Sequence, residues 1–298
     1  MTEVAADRPF VWLYEFLEDP DMLKPPTAIV PKIVWEKRIT LLAAREKGGK
    51  STLAGAAAAA ISAGKSFLGG NTIPGNVLIV ALEEHPQEFT QRLVRFGADP
   101  KKIAIVSNQP NLIDAIERTA EEIKPVLIIW DTLGAFADAI SPSPIDPGDG
   151  PAWTRVMGVI VDITRRHGAS LILHHSRKSD GKYRDSTAIG ANVDFIVEMF
   201  GEGTEPRTLK ARGRFSLDDV RFHIENDTFK LIETEKQFQE RVLQFVKENP
   251  KCTLRVLREA IGGKNEDISK ARDKLMAAGL MTNIGTEANH CYMAVMRG

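Results

Sequence analysis

Cysteine is nearly absent from this sequence: Cys252 and Cys291 are the two it has in 298 residues. That is too few, and too dispersed, for a disulfide framework or a cysteine-held zinc site, and it points to a reducing compartment. Long apolar runs are missing as well. No stretch of about 18 apolar residues exists to cross a bilayer, and the opening Met-Thr-Glu-Val-Ala-Ala-Asp lacks the basic-then-apolar pattern of a secretory signal. Charge of one sign is not in excess either, since 27% charged residues sum to −1. With no overall basic field, any contact with nucleic acid has to be local. The expectation is a cytoplasmic protein with no membrane partner. Its length suits a core domain of about 200 residues plus a smaller module.

What is present centres on residues 39–53. An apolar strand-like run, Ile39 to Ala43, passes into Gly48-Gly49-Lys50-Ser51-Thr52, and an alanine-rich helical run follows from Leu53 to Ile61. Strand, glycine turn and helix start make a phosphate cradle, because backbone N–H groups and the positive helix end converge on one point. Lys47, Gly48, Gly49, Lys50, Ser51 and Thr52 are the candidate nucleotide-binding residues. Lys50 would reach the β- and γ-phosphates of ATP, and the Ser51 hydroxyl would hold Mg²⁺. Ala44 stands where the motif G-x-x-x-x-G-K-[ST] has its first glycine.

The following units repeat a strand–helix logic. Asn76 to Leu82 reads as a buried parallel strand ending in Glu83-Glu84-His85, with a helix from Pro86 to Phe96. A carboxylate at the carboxyl end of such a strand lies where open α/β sheets bind ligands, so Glu83 or Glu84 is a candidate base for the attacking water. A strand Lys102–Val106 and a helix Leu112–Ile123 precede Pro125-Val-Leu-Ile-Ile-Trp-Asp131. Asp131 ending that apolar run fits the aspartate of a magnesium shell. Residues 138–150, rich in Pro, Asp, Ser and Gly, read as a loop before a helix Trp153–His167 and a strand Ala169–His175. His174 and His175 point to opposite faces of that strand, so they do not share a metal; one suits a hydrogen-bond relay and the other packing.

Residues 176–187 form a polar stretch with Arg177, Lys178, Lys182 and Arg184 around Tyr183. Such a loop suits single-stranded nucleic acid, with cations for phosphates and a ring for stacking, or plain solvent. After a short helix and a strand Asp194–Met199 the pattern turns antiparallel, with Arg207–Arg214, Val220–Ile224 and Thr228–Ile232 alternating. Lys210, Arg212 and Arg214 share one face with no carboxylate among them, and a phosphate of another subunit is one partner that would answer them. From residue 235 the chain reads as three helices and a β-hairpin, the winged-helix plan. Residues 235–298 hold 11 Lys and Arg against 8 Asp and Glu, or +3, which leaves DNA reading and protein docking both open.

Taken together, the stretches 46–53, 80–84, 127–133 and 173–178, in this order and spacing, resemble the RecA-like ATPase family of the RepA and DnaB-type hexameric replicative helicases of phages and plasmids. The resemblance implies an α/β fold: a RecA-like P-loop NTPase with a mainly parallel central sheet and helices on both faces. Residues 1–26 would be an N-terminal arm, 27–233 the ATPase domain and 234–298 a small C-terminal winged-helix domain. It implies Glu83 as catalytic glutamate, Asp131 with Ser51 at the magnesium, and His175 as the residue coupling γ-phosphate state to DNA-facing loops. Lys210 and Arg212 resemble fingers reaching the neighbouring subunit's nucleotide; Glu84 and Arg214 stay open as substitutes. The activity implied is Mg²⁺-dependent, nucleic-acid-stimulated ATP hydrolysis by a homo-oligomeric ring, expected to be a hexamer, moving on single-stranded DNA. A nucleotide-gated DNA-binding regulator or helicase loader, and a recombination or repair ATPase, are the alternatives.

Overall fold

The computed structural model describes residues 10–18, 20, 23–176, 187–214, 217–225, 227–262, 264–286 and 290–295. They divide into two compact units, 1–218 and 219–298.

In the first unit the strands are β1 (Ile39–Ala44), β2 (Val77–Ala81), β3 (Ile103–Val106), β4 (Leu127–Asp131), β5 (Ala169–His175), β6 (Phe195–Phe200) and β7 (Arg207–Gly213). They lie in the order β7-β6-β1-β5-β4-β2-β3. All neighbours are parallel except β6 and β7. Every residue of β1, β2 and β4 is buried, as expected of parallel strands covered on both faces. This is the α/β fold of a RecA-like P-loop NTPase, a large and mainly parallel central sheet flanked by helices.

The helices follow from composition. α1 (Lys50–Ala63) is built of alanine, the strongest helix former, and is buried nearly all round; it ends on Gly64 in the left-handed region. α2 (Pro86–Arg95) starts with proline in its first turn, and the His85 side chain accepts the Gln87 N–H. α3 (Leu112–Ile123), α4 (Leu133–Ile140) and α5 (Gly150–His167) place Ile116, Phe136, Trp153 and Ile160 in one apolar core with Trp130 of β4. α4 occupies residues that the sequence pattern left between a strand and a loop. The Thr132 hydroxyl caps it by accepting the Ala135 N–H. An antiparallel pair, Ala28–Val30 with Val34–Trp35, also forms ahead of β1.

In the second unit an antiparallel hairpin, β8 (Val220–Glu225) and β9 (Thr228–Ile232), precedes α6 (Glu235–Glu248). There follow β10 (Cys252–Thr253), α7 (Leu254–Ile261), α8 (Asn265–Ala277), β11 (Met281–Asn283) and β12 (Cys291–Ala294). β12 lies between β10 and β11 in a small antiparallel sheet. Val242, Leu257, Ile268, Leu275 and Tyr292 form its core. Among the described residues no helix is long and apolar enough to cross a membrane.

Candidate functional site

β1 ends at the point where the chain crosses to the far strands, and open α/β sheets bind ligands at such carboxyl edges. Here the turn 45–49 closes on itself, with the Gly48 N–H donating to the Arg45 carbonyl. A Cβ on Gly48 would lie 2.9 Å from that carbonyl oxygen, and Gly49 has φ 98°, so both positions call for glycine. Ala44 is different. It is still strand, and its carbonyl accepts from Ser176 N–H and from Lys50, so a Cβ there costs nothing.

Lys50 is buried, with 5% of its surface exposed. Its Nζ lies 3.3 Å from each of the Ala44 carbonyl, the Arg45 carbonyl and His175 Nδ1. Burial lowers its proton affinity, opposed by the charges of Glu83, Asp131 and Glu46. An ammonium only donates, so His175 Nδ1 is the acceptor and Nε2 carries the proton. That Nε2 lies 3.3 Å from Glu83 Oε1 and donates to it. A hydrogen-bonded chain therefore runs from Lys50 through His175 to Glu83. His174, on the opposite face of β5, is buried.

Glu83 also accepts from the Thr132 side chain, and its carboxyl is held down to about 2, first by the His175 hydrogen bond and then by that of Thr132, against its own desolvation. Its neighbour Glu84 is taken up elsewhere: Arg92 of α2 grips both its oxygens in a bidentate pair. Asp131 shows the reverse shift. Burial pushes it up to about 6, with Glu83 and Glu84 adding to the rise, while a hydrogen bond from Ser51 and the charge of Lys50 oppose it. Its Oδ2 is buried with no hydrogen-bond partner among the described residues. These groups line one cleft of about 330 Å³ with Lys47, Gly49 and Thr52. A larger cavity of about 720 Å³, lined by Arg45 and residues 199–205, carries the exposed Arg45–Glu202 pair.

Two arginines of the site were not legible as such. Arg92 is one. The other is Arg207, buried at the start of β7, whose Nε donates to the Gly48 carbonyl at 3.4 Å while its terminal nitrogens hold the Glu205 and Gly203 carbonyls. Lys210 and Arg212 are not among the cleft residues. Lys210 lies over the Phe200 ring, and Ile196 and Glu198 of β6 stand opposite Arg212 and Lys210. The expectation that this row of cations lacks a carboxylate needs correction, because Asp194 accepts from Arg214 Nε at 2.6 Å. Arg177, Lys178, Lys182 and Arg184, the expected single-strand contacts, lie outside the described residues.

A glycine turn feeding a buried helix, a lysine at its base, and two carboxylates on neighbouring strand ends define a nucleotide-binding P-loop ATPase. The family model described as an AAA domain matches residues 9–181, more than half of the chain, and the chain belongs to that family. No curated protein matches the sequence.

Proposed function

We propose that this ATPase is Mg²⁺-dependent and stimulated by nucleic acid, that it works as a homo-oligomeric ring of the RepA and DnaB helicase type, and that it moves on single-stranded DNA. The observation that carries the reading is the chain Lys50–His175–Glu83. It ties the phosphate-binding lysine and the water-facing carboxylate to the end of β5, one residue before the segment that the sequence marks as basic.

The residues divide the work of phosphoryl transfer to water. Lys50 neutralises charge on the transferring group, and Glu83 orients the water. A carboxylate held near 2 is a poor proton acceptor, which suits a loose transition state in which positioning outweighs early deprotonation. The orphaned, buried Asp131 Oδ2 and the Ser51 hydroxyl fit a hydrated Mg²⁺, which keeps most of its ligands as water and phosphate oxygen. When bound, that ion neutralises charge on the β- and γ-phosphate oxygens. Since Lys210 and Arg212 stay outside the cleft of their own chain, their service as fingers requires a neighbour. The helices and small sheet of residues 234–298 are assigned as a winged-helix module.

Turnover should rise when oligo(dT) is added, and the active species should be an oligomer by light scattering. Arg212→Ala should slow hydrolysis while leaving nucleotide binding intact. A monomer that hydrolyses ATP at the full rate would sink the ring. A protein that binds duplex through residues 234–298 and displaces no strand would be the regulator or loader instead.

A further inference from the structure

The opposite edge of the sheet carries a second concentration of charge. Lys37 and Arg38 precede β1, Arg165 lies in the last turn of α5, and Arg214 follows β7; with Asp194 they line a pocket of about 400 Å³ at the amino ends of the parallel strands. Six residues of β1 separate it from the P-loop, about 17 Å of strand.

Asp194 is the pocket's one carboxylate, and it is already satisfied: Oδ2 accepts the Ile39 N–H at 3.0 Å and Oδ1 accepts Arg214 Nε at 2.6 Å. Among the described residues the Arg38 guanidinium has one bond, to the Lys37 carbonyl. Lys37 and Arg165 form no ion pair among the described residues. A basic residue at a helix end could be there for the helix dipole alone. Arg166 shows what that looks like, since it pairs with Glu117 and Asp162. Arg165, one position away, lines the pocket and has no such partner among the described residues. Four cations against one carboxylate leave about +3, and the half charge of the helix end lowers this only to about +2.5. On a chain of net charge −1 that is a strong local excess.

We propose that this pocket holds backbone phosphates of single-stranded DNA. Guanidinium forks match phosphate oxygens, and no aromatic side chain lines the pocket to stack on a base, so contact would be with the backbone and tolerant of sequence. A flexible strand can turn a phosphate into a concavity, whereas a duplex presents its phosphates on a stiff convex cylinder. The inference deepens the DNA-stimulated reading above by naming where the strand is gripped.

The test uses the full chain and fluorescein-labelled oligo(dT), read by anisotropy across a salt series. The double variant Lys37→Glu/Arg165→Glu should bind about tenfold or more weakly, with the log–log salt slope smaller by about 1.4, two phosphate contacts' worth for a single strand. Its DNA-independent ATP hydrolysis should be unchanged. Lys101→Glu/Arg118→Glu, an equal change of charge away from the pocket, should bind within about twofold of wild type. The milder Lys37→Ala/Arg165→Ala should fall between, which guards against a variant that folds poorly. Equal losses in pocket and control variants, or no loss in either, overturn the site while the DNA reading stands. A change of oligomeric mass with DNA affinity intact also overturns it, in favour of a contact between copies. A wild-type chain that hydrolyses ATP but binds no oligo(dT) removes both the site and the DNA reading, and leaves the ATPase.

Discussion

At the carboxyl edge of the sheet Lys50, His175, Glu83 and Asp131 are packed against one another, and the surroundings move the lysine and both carboxylates away from their ordinary proton affinities. At the amino edge Lys37, Arg38, Arg165 and Arg214 line a pocket, and three of the four are exposed. The two edges therefore differ in dielectric more than in the number of charges. In the cleft the buried charges of Lys50 and Asp131 act strongly on their neighbours and salt reaches them little; at the other edge charges act through water and are screened. Substitutions in the cleft should have large effects that ionic strength barely alters, and those at the amino edge smaller effects that it governs.

The largest effect is expected from Lys50→Ala, which removes the cation proposed to face the phosphates together with the donor that fixes the His175 tautomer. Turnover should fall by about 10³-fold or more, equally at low and high salt. Steady-state hydrolysis at two ionic strengths checks this, and a loss that salt rescues would break the contrast between the edges.

Asp131→Asn should move activity and stability in opposite directions. Turnover should drop about 10²-fold or more as the charge proposed to face the metal is lost. Stability should rise, because the folded protein binds the Asp131 proton more tightly, at about 6, than an unfolded chain does at 3.8. The contribution of that protonated carboxyl is fully present below 3.8, is lost as pH rises through 6, and leaves a strained charge at neutrality worth on the order of 1–3 kcal/mol. Without nucleotide or metal, the variant should melt above wild type at pH 7, and the gap should close as pH falls toward 4. An equal gap at both pH values would show that burial is not what strains Asp131.

These two residues were visible in the sequence for a physical reason. β1 and β4 are buried, mainly apolar runs that lead into the glycine turn and into Asp131, so the P-loop and Asp131 could be located from the sequence, whereas the choice of His175 over His174 rested on the family resemblance. α3 was legible to the residue because its apolar period is strong. α4 was not, since Leu133-Gly-Ala-Phe-Ala continues the apolar run of β4 and only the Thr132 cap separates strand from helix. Arg207 was out of reach as well. Its partner at Gly48 is 159 residues away, and nothing local distinguishes an arginine that holds carbonyls from one in solvent.

Arg207→Met tests that missed residue. It should leave the Gly48, Gly203 and Glu205 carbonyls without their donors and loosen the P-loop from β7. The loss of about 1–2 kcal/mol should raise KM for ATP about tenfold with kcat little changed. Equal falls in kcat and kcat/KM would place Arg207 in the chemical step instead.

The smallest expected effect separates burial from position. Arg45 and Glu202 pair at 2.9 Å beside the P-loop, on the carboxyl edge, yet their side chains are 47% and 58% exposed. If position on that edge decided the strength of a charge, Glu202→Gln would impair nucleotide binding and lower the melting temperature clearly. Solvent exposure argues otherwise, because two long side chains lose entropy in pairing and water screens the gain, leaving about 0–1 kcal/mol. The variant should melt within about 2 °C of wild type, and even that difference should vanish in high salt. A larger shift that persists in salt would mean that the carboxyl edge strengthens charges by its place in the fold, and the distinction between the two edges would have to be redrawn on position rather than dielectric.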